Sequence, residues 1–507
     1  MPPQGGNQGA VLQTRATPSW PASGTAYYLV ALAIALIGFV LRAWNLASAD
    51  PWADEVLTAY RAQAPLNDAI HSILSAGNQV PLYYAMMRVL PHNSVAVLRW
   101  PAVFFGALGI LTLIHAVTVL FDNAALGLQA GALLAVNPLH VILSRTARFY
   151  TWLFLLGVLI TFCFVLLLRR PQSRRLWWAF GVLTLVADLT HYTAFGLGAS
   201  QLLLLLLFYR QQRALLRRWF ITQFFATLPA ALWGIAATLS ASSGGNNPPP
   251  SPQLFDLPVS FLNVLMGYGG ERQWVFLPGI VVAALGLAWG LRAVGKMRAR
   301  QPEMLYWPLL AAIPILTLFV VSIVLFAKYK DRYFMIAMPA LLVIFLLGWQ
   351  RAPRLARYGA VGVVLLTGLG QVLHLYASGN YERTAWSKAA QVVASEYRPG
   401  DCVVFSRWSL QQAFAASFAG DPQIVEQSVL ARTASELNAL AARCQRLLVP
   451  YRFEYEDHHR QEWVRDFDPL GPGISPLADW LYAHRDGVLG RWDFQGVTVF
   501  VVATARP

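Results

Sequence analysis

The chain has 507 residues, of which 56% are apolar and only 13% charged, with a mean hydropathy of +0.47. Soluble domains run at about 45–50% apolar and about 25% charged, so an ordinary soluble globule is excluded, as are disorder and a collagen-like fibre. The 39 Lys+Arg against 25 Asp+Glu give a net +14, which invites a nucleic-acid reading. Its location argues otherwise. Residues 1–376 hold 26 basic and 10 acidic residues, and 377–507 hold 13 and 15. The excess therefore lies between hydrophobic runs and reads as membrane orientation, with no nucleic-acid partner.

Residues 1–25, rich in Pro, Gly, Gln, Ser and Thr, predict a disordered tail. Eleven apolar stretches long enough to cross about 30 Å of hydrocarbon follow. They lie near 26–44, 96–119, 124–143, 149–168, 176–190, 192–209, 219–239, 274–291, 305–326, 333–349 and 358–376. Ala47-Ser48-Ala49 after the first resembles a signal-peptidase site, although a retained helix is the reading adopted. Four loops, at 169–175, 210–218, 292–300 and 351–357, carry fifteen positive charges and no carboxylate. They share one parity, so the positive-inside rule makes them cytoplasmic and puts the N-terminus inside. The segments 45–95, 240–273 and 377–507 are then external.

Beyond residue 377 the pattern changes. Asp401–Phe405, Arg446–Pro450 and Gly496–Ala503 read as buried strands and 431–443 as a helix, giving a small external α/β domain. Cys402 and Cys444 both fall in it, where a disulfide is allowed, but two buried thiols are the expectation. Cys163 sits in an apolar helix as packing. The fold class is thus a mainly α polytopic membrane protein with a small C-terminal extracytoplasmic α/β domain. Its parts are the tail 1–25, a membrane domain 26–376 with a long first external loop 45–95, and the domain 377–507.

Charges that the orientation rule does not explain mark function in a membrane protein. Arg145 and Arg148 in Ser144–Tyr150, and Lys328, Lys330 and Arg332 before Tyr333, cluster at external helix ends, as does His191-Tyr192. Guanidinium groups hold phosphate bidentately, so an anionic lipid headgroup suits them; snorkelling, or pairing with Asp331, is the alternative. The first external loop holds Asp50-Pro51-Trp52-Ala53-Asp54-Glu55. Asp50 reads as a helix N-cap with proline at the first helical position, which puts Asp54 and Glu55 where the dipole favours carboxylates. The competing account makes one of them a general base above the membrane. An amphipathic helix along the surface is expected to about residue 76. The sequence holds no P-loop, Rossmann glycine pattern or HExxH. The run Glu454, Glu456, Asp457, His458, His459 reads as a solvated loop, so no metal site is assigned. Gly244–Pro250 reads as a flexible loop over a cavity.

Taken together, these features resemble the GT-C superfamily of polyprenyl-phosphate-sugar-dependent glycosyltransferases, in particular the bacterial protein-mannosyltransferase and lipid A aminoarabinose-transferase-like branch. The resemblance spans about residues 26–400. It rests on Asp54-Glu55 in a long first external loop, Pro81–Tyr84, the Ser144–Tyr150 run, His191-Tyr192, Arg332-Tyr333, and Tyr381–Trp386 followed by Pro399-Gly400-Asp401. It implies an inverting transfer of sugar from a polyprenyl-phosphate-linked donor to a lipid, protein or polysaccharide acceptor hydroxyl at the outer membrane face, with no cofactor required. By position, Asp54 would be the base and Glu55 would orient it or the acceptor. Arg148, His191, Lys330 and Arg332 would hold the lipid phosphate, with Arg145, Tyr150, Tyr192, Lys328 and Tyr333 beside them as binding residues. The chain departs from the family at Asn78-Gln79-Val80-Pro81, where many relatives carry a Pro-Pro pair after a basic residue. A transporter or flippase of lipid-linked sugars and a non-catalytic membrane scaffold are the competing functions. The first is disfavoured because the unusual charges lie at helix ends rather than at the midplane.

Overall fold

The computed structural model describes residues 24–91, 94–241, 251–267, 275–299, 301–325, 329–378, 384–452 and 476–504. Almost all of the expected tail, the 244–250 run, Lys328, Tyr381–Arg383 and the 454–459 run lie outside the described residues.

All eleven apolar stretches are helical, because in hydrocarbon a backbone must pair its polar groups within the segment. The chain opens with α1 (Thr25–Ala43) and three short helices, α2 (Ala53–Gln63), α3 (Leu66–Ser75) and α4 (Leu82–Met87). Then come α5 (Val95–Phe121), α6 (Ala124–Ala135), α7 (Pro138–Leu143), α8 (Tyr150–Arg169), α9 (Arg174–Asp188), α10 (Phe195–Phe208) and α11 (Arg213–Ser240). The bundle ends with α12 (Asp256–Met266), α13 (Leu277–Met297), α14 (Tyr306–Val324), α15 (Met338–Trp349) and α16 (Arg354–Ser378). Among the described residues, seven helices are long and apolar enough to cross a membrane, and four more are apolar but shorter. The chain is a mainly helical polytopic membrane protein.

Two of the expected spans are interrupted, each for a local reason. Stretch 124–143 breaks at Val136-Asn137, because Pro138 lacks an N–H and restarts a helix at its first position. Asn137 then works in two directions. Its Oδ1 accepts from the His140 N–H at 2.9 Å, and its Nδ2 donates to the Val264 and Leu265 carbonyls that end α12. Stretch 333–349 begins instead with a tight turn, Asp331–Phe334, and α15 starts only at Met338. The helix α12 falls in a segment read as loop. The single surface helix expected before residue 76 is two, split before Pro65.

The C-terminal part contains α17 (Trp386–Glu396), β1 (Cys402–Phe405), α18 (Trp408–Ala415), α19 (Pro422–Glu426), β2 (Val429–Leu430) and α20 (Ala434–Ala441). It closes with β3 (Arg446–Arg452), α21 (Pro476–Ala483), β4 (Val488–Phe494) and β5 (Val497–Ala503). The sheet order is β2-β1-β3-β5-β4, with β1 parallel to β2 and β3 and the β5 pairings antiparallel. Strand β4 escapes a search for apolar runs because Val-Leu-Gly-Arg-Trp-Asp-Phe lacks one and no residue of it is fully buried. Cys402 and Cys444 form a disulfide, which corrects the expectation of two thiols: parallel pairing of β1 with β3 brings their N-terminal ends together. On one face of the sheet, Val403, Phe405, Val499 and Val501 pack with Trp386 and Phe414, and the same cluster includes Trp52, Ala53 and Val56 of the first loop. The C-terminal domain and the start of α2 thus share a core.

Candidate active site

The start of α2 is held from several sides. Glu55 is 1% exposed and accepts from Arg99 Nε and Nη2, each at 2.8 Å, from the Ala147 N–H at 2.8 Å and from the Trp52 N–H at 3.0 Å. Burial alone pushes the Glu55 carboxyl up, but the Arg99 charge and these hydrogen bonds outweigh it and hold the group below the usual carboxylate range. Arg99 also donates to the carbonyls of Leu46, Ala49 and Asp50. Asp50 is not the N-cap, because α2 begins at Ala53 with Trp52 before it. The Asp50 carboxylate instead accepts from the Ser387 N–H at 2.8 Å, tying the loop to α17. These contacts enclose Glu55, while the adjacent Asp54, half-buried in the first turn, acts electrostatically on Arg148.

Those basic groups come from two loops. Arg148 Nη1 donates to the Tyr84 hydroxyl at 3.0 Å, and Arg61 Nη1 donates to the same oxygen at 2.9 Å. The Tyr84 hydroxyl in turn donates to Gln79 Oε1 at 2.7 Å. Burial works against the Arg148 charge, but Tyr84 and Asp54 outweigh it and hold the guanidinium above its ordinary value. Arg332 lies over the Trp52 ring at 4.7 Å, two residues from Asp54, a cation–π arrangement. Tyr150 stands in the field of Arg332, Arg148 and Asp54. The His191 ring stacks on Phe149 at 4.1 Å and on Tyr333 at 5.5 Å, joining the two loops.

Asp54, Arg148, Tyr150, His191, Arg332 and Tyr333 are therefore brought together, and Lys330, half-buried, precedes the same turn. Arg145 is directed elsewhere: its guanidinium donates to the carbonyls of Arg42, Trp44 and Asn45 at the end of α1. Tyr192 lines an apolar groove with Gly77, Phe195 and Gly234. Asp331 accepts from Ser260 and Asn263 of α12. Sequence reasoning passed over Arg99 and Arg61, and it quoted Tyr84 and Gln79 for the resemblance without giving either a role. The available signal was Arg99 itself, an arginine inside an apolar helix with no orientation role. Two buried phenol oxygens, of Tyr83 and Tyr150, and Arg148 Nε have no hydrogen-bond partner among the described residues. Buried polar groups are normally paired, so this concentration beside Asp54 marks a place where a polar ligand fits. Among the described residues no three His, Cys, Asp or Glu side chains gather to hold a metal.

A carboxylate at a helix start, facing guanidiniums from two loops at one end of a membrane bundle, defines the class. It is a polytopic membrane protein in which these side chains gather at the helix ends. No family model and no curated protein matches the chain. Solved structures do. ArnT from Cupriavidus metallidurans bound to undecaprenyl phosphate matches with a TM-score of 0.55 at 14% identity, over 95% of this chain and 97% of that one. The apo state of the same protein matches with a TM-score of 0.56 at 14% identity, over 95% and 98%. At that identity the likeness establishes the fold.

Proposed function

We propose that this chain is an inverting glycosyltransferase that moves a sugar from a polyprenyl-phosphate donor to an acceptor hydroxyl at the non-cytoplasmic membrane face. The observation that carries the reading is Asp54, set apart from the fully occupied Glu55 and in the field of Arg148. In the reaction, an Asp54 carboxylate oxygen takes the proton of the acceptor hydroxyl as the hydroxyl's own oxygen attacks the anomeric carbon. The bond from that carbon to the phosphate oxygen breaks, and polyprenyl phosphate leaves with the bonding pair. Arg148 and Arg332 are placed to stabilise the negative charge that grows there, with Lys330 and His191 as further contacts. The neighbour of like fold holding undecaprenyl phosphate supports a donor of this class. Two features support the proposed side: the cation-rich turns lie at the opposite ends of the helices from the site, and a structural disulfide belongs to oxidising compartments.

The test uses the full chain in lipid nanodiscs with radiolabelled polyprenyl-phosphate sugars and crude envelope acceptors, wild type beside Asp54→Asn. Label should leave one donor, and Asp54→Asn should lose at least ~100-fold in turnover, the low end for a general base, while still binding donor. A near wild-type rate in Asp54→Asn would remove the base. Label retained on every donor despite lipid binding would favour transport.

A further inference from the structure

A second concavity, of about 450 Å³, lies between α2, α3 and α18 of the C-terminal domain. Its lining pairs Tyr60 and Trp408 with Asp68, His71, Ser72 and Ser75, and Leu57 completes it. The two aromatic rings meet edge to face at 4.9 Å, so each keeps at least one face that the other does not cover. Asp68 and His71 are exposed, and both serines are half-buried.

This combination suits one ligand class. A sugar ring presents C–H faces that pack on aromatic faces and a rim of hydroxyls that need both donors and acceptors. A carboxylate, an imidazole and two hydroxyls supply both. A free phosphate would meet Asp68 and no lysine or arginine in the lining. A hydrocarbon chain would strip water from four polar groups. A peptide would find helices on every side and no strand edge to pair with its backbone.

The cleft is also wired to the site. Leu57 and Tyr60 lie one and two turns along α2 from Asp54. The Ser72 Oγ and carbonyl accept from Arg61 Nε and Nη2 at 3.1 and 3.0 Å. Arg61 then reaches the Tyr84 hydroxyl, which Arg148 also contacts. We infer that this cleft binds a saccharide, so that the hydroxyl delivered to Asp54 belongs to a sugar acceptor. The inference rests on the glycosyl-transfer reading above.

The experiment is saturation-transfer NMR on the full chain in nanodiscs, with methyl glycosides and disaccharides of mannose, glucose, galactose and arabinofuranose as probes. At least one probe should bind the wild type. Trp408→Ala should weaken it about fivefold to tenfold, the loss of one aromatic contact. Trp408→Phe should retain binding, which separates a lost ring face from a disturbed fold. Trp178→Ala, on the exposed surface of α9, should leave binding unchanged. Asp54→Asn should bind the probe as the wild type does. The inference is overturned if no probe binds, if Trp408→Ala binds normally, or if a Ser/Thr peptide occupies the cleft and no glycoside does. Trp408-dependent binding without transfer from any donor would instead sink the transferase reading and leave the cleft standing.

Discussion

At the scale of single residues, the two neighbouring carboxylates differ in their surroundings: Glu55 is enclosed by its partners, and Asp54 stands in the field of Arg148. Glu55 is a positioning residue: it fixes Trp52, the Ala147 backbone and Arg99 around Asp54. Removing one partner of a buried ion pair leaves the other charge stranded, at a cost of about 3–5 kcal/mol. Glu55→Gln should lose about that much on thermal or denaturant unfolding, and transfer should fall with it because Asp54 loses its support. The pH dependence has a definite sign. Folding lowers the Glu55 pKa, so the unfolded chain binds more protons and stability rises with pH across that window. The contribution is complete above the unfolded-state value of about 4.3 and is lost as pH falls through the lower folded value. Unfolding midpoints measured between pH 6 and 3 should show this loss in the wild type and not in Glu55→Gln. The resemblance gave Asp54 the part of base and Glu55 that of orienting group, but the ion pair that encloses Glu55 was not legible in the sequence. Arg99 lies 44 residues away, and adjacency in sequence says nothing about which carboxylate a distant guanidinium will take. Arg145 was misleading for a related reason: an arginine at a helix end serves a phosphate or bare carbonyls equally well, and α1 supplied the carbonyls.

At the scale of elements, apolar run length located the seven helices that are long enough to cross a membrane among the described residues, because hydrocarbon leaves a spanning backbone few alternatives, but it passed over the shorter α12. The breaks were harder to see. Pro138 ends one helix and starts the next, whereas Pro101, Pro229 and Pro314 sit inside continuous helices. What distinguishes Pro138 is Asn137, whose side chain caps α7 and also binds the end of α12, a partner more than a hundred residues away. Arg42 plays a comparable part deep in the bundle, donating to the Leu134 and Ala135 carbonyls of α6 and meeting His140 at 2.8 Å. A cation at a helix C-terminus is favoured by the dipole, so this buried arginine is explained by the interrupted helix it caps. The close approach of α13 and α15 is likewise explained by small residues: a Cβ on Gly290 would collide with the Ile344 carbonyl, and one on Gly348 with the Gly286 carbonyl. Small residues let membrane helices pack backbone to backbone. Gly290→Ala should therefore force the pair apart and cost about 1–3 kcal/mol, as overpacking does. Gly295→Ala, on the same helix with open space around it, should leave the thermal unfolding midpoint unchanged.

At the scale of the whole molecule, the chain places its catalytic candidates where two bodies meet. Composition alone separated these bodies, a basic apolar bundle and a nearly neutral α/β domain, but it gave no sign that they share a core. Trp52, Ala53 and Val56 pack against Trp386, Val403 and Phe414, and Asp50 reaches Ser387 across 337 residues of sequence. Contacts of that separation leave no periodicity to read. The helix that carries Asp54 is consequently fastened at its start to the domain and along its length to the bundle, through Arg61 and through Arg88, which donates to the Arg61 and Ala64 carbonyls. The domain's own stability should then govern the placement of Asp54. The Cys402–Cys444 bond closes a segment with a sequence separation of 42, for which loop-closure entropy gives about 4 kcal/mol. Cys402→Ser with Cys444→Ser should lower the unfolding midpoint of the α/β domain, followed by proteolysis of its strands, while the circular-dichroism melt of the helical bundle stays in place. On the proposed function, glycosyl transfer should fall as the domain opens, and donor binding, assigned there to Arg148 and Arg332, should persist. If transfer survived after the domain had unfolded, α2 would need no support from it, and the shared core around Trp52 would be structural alone.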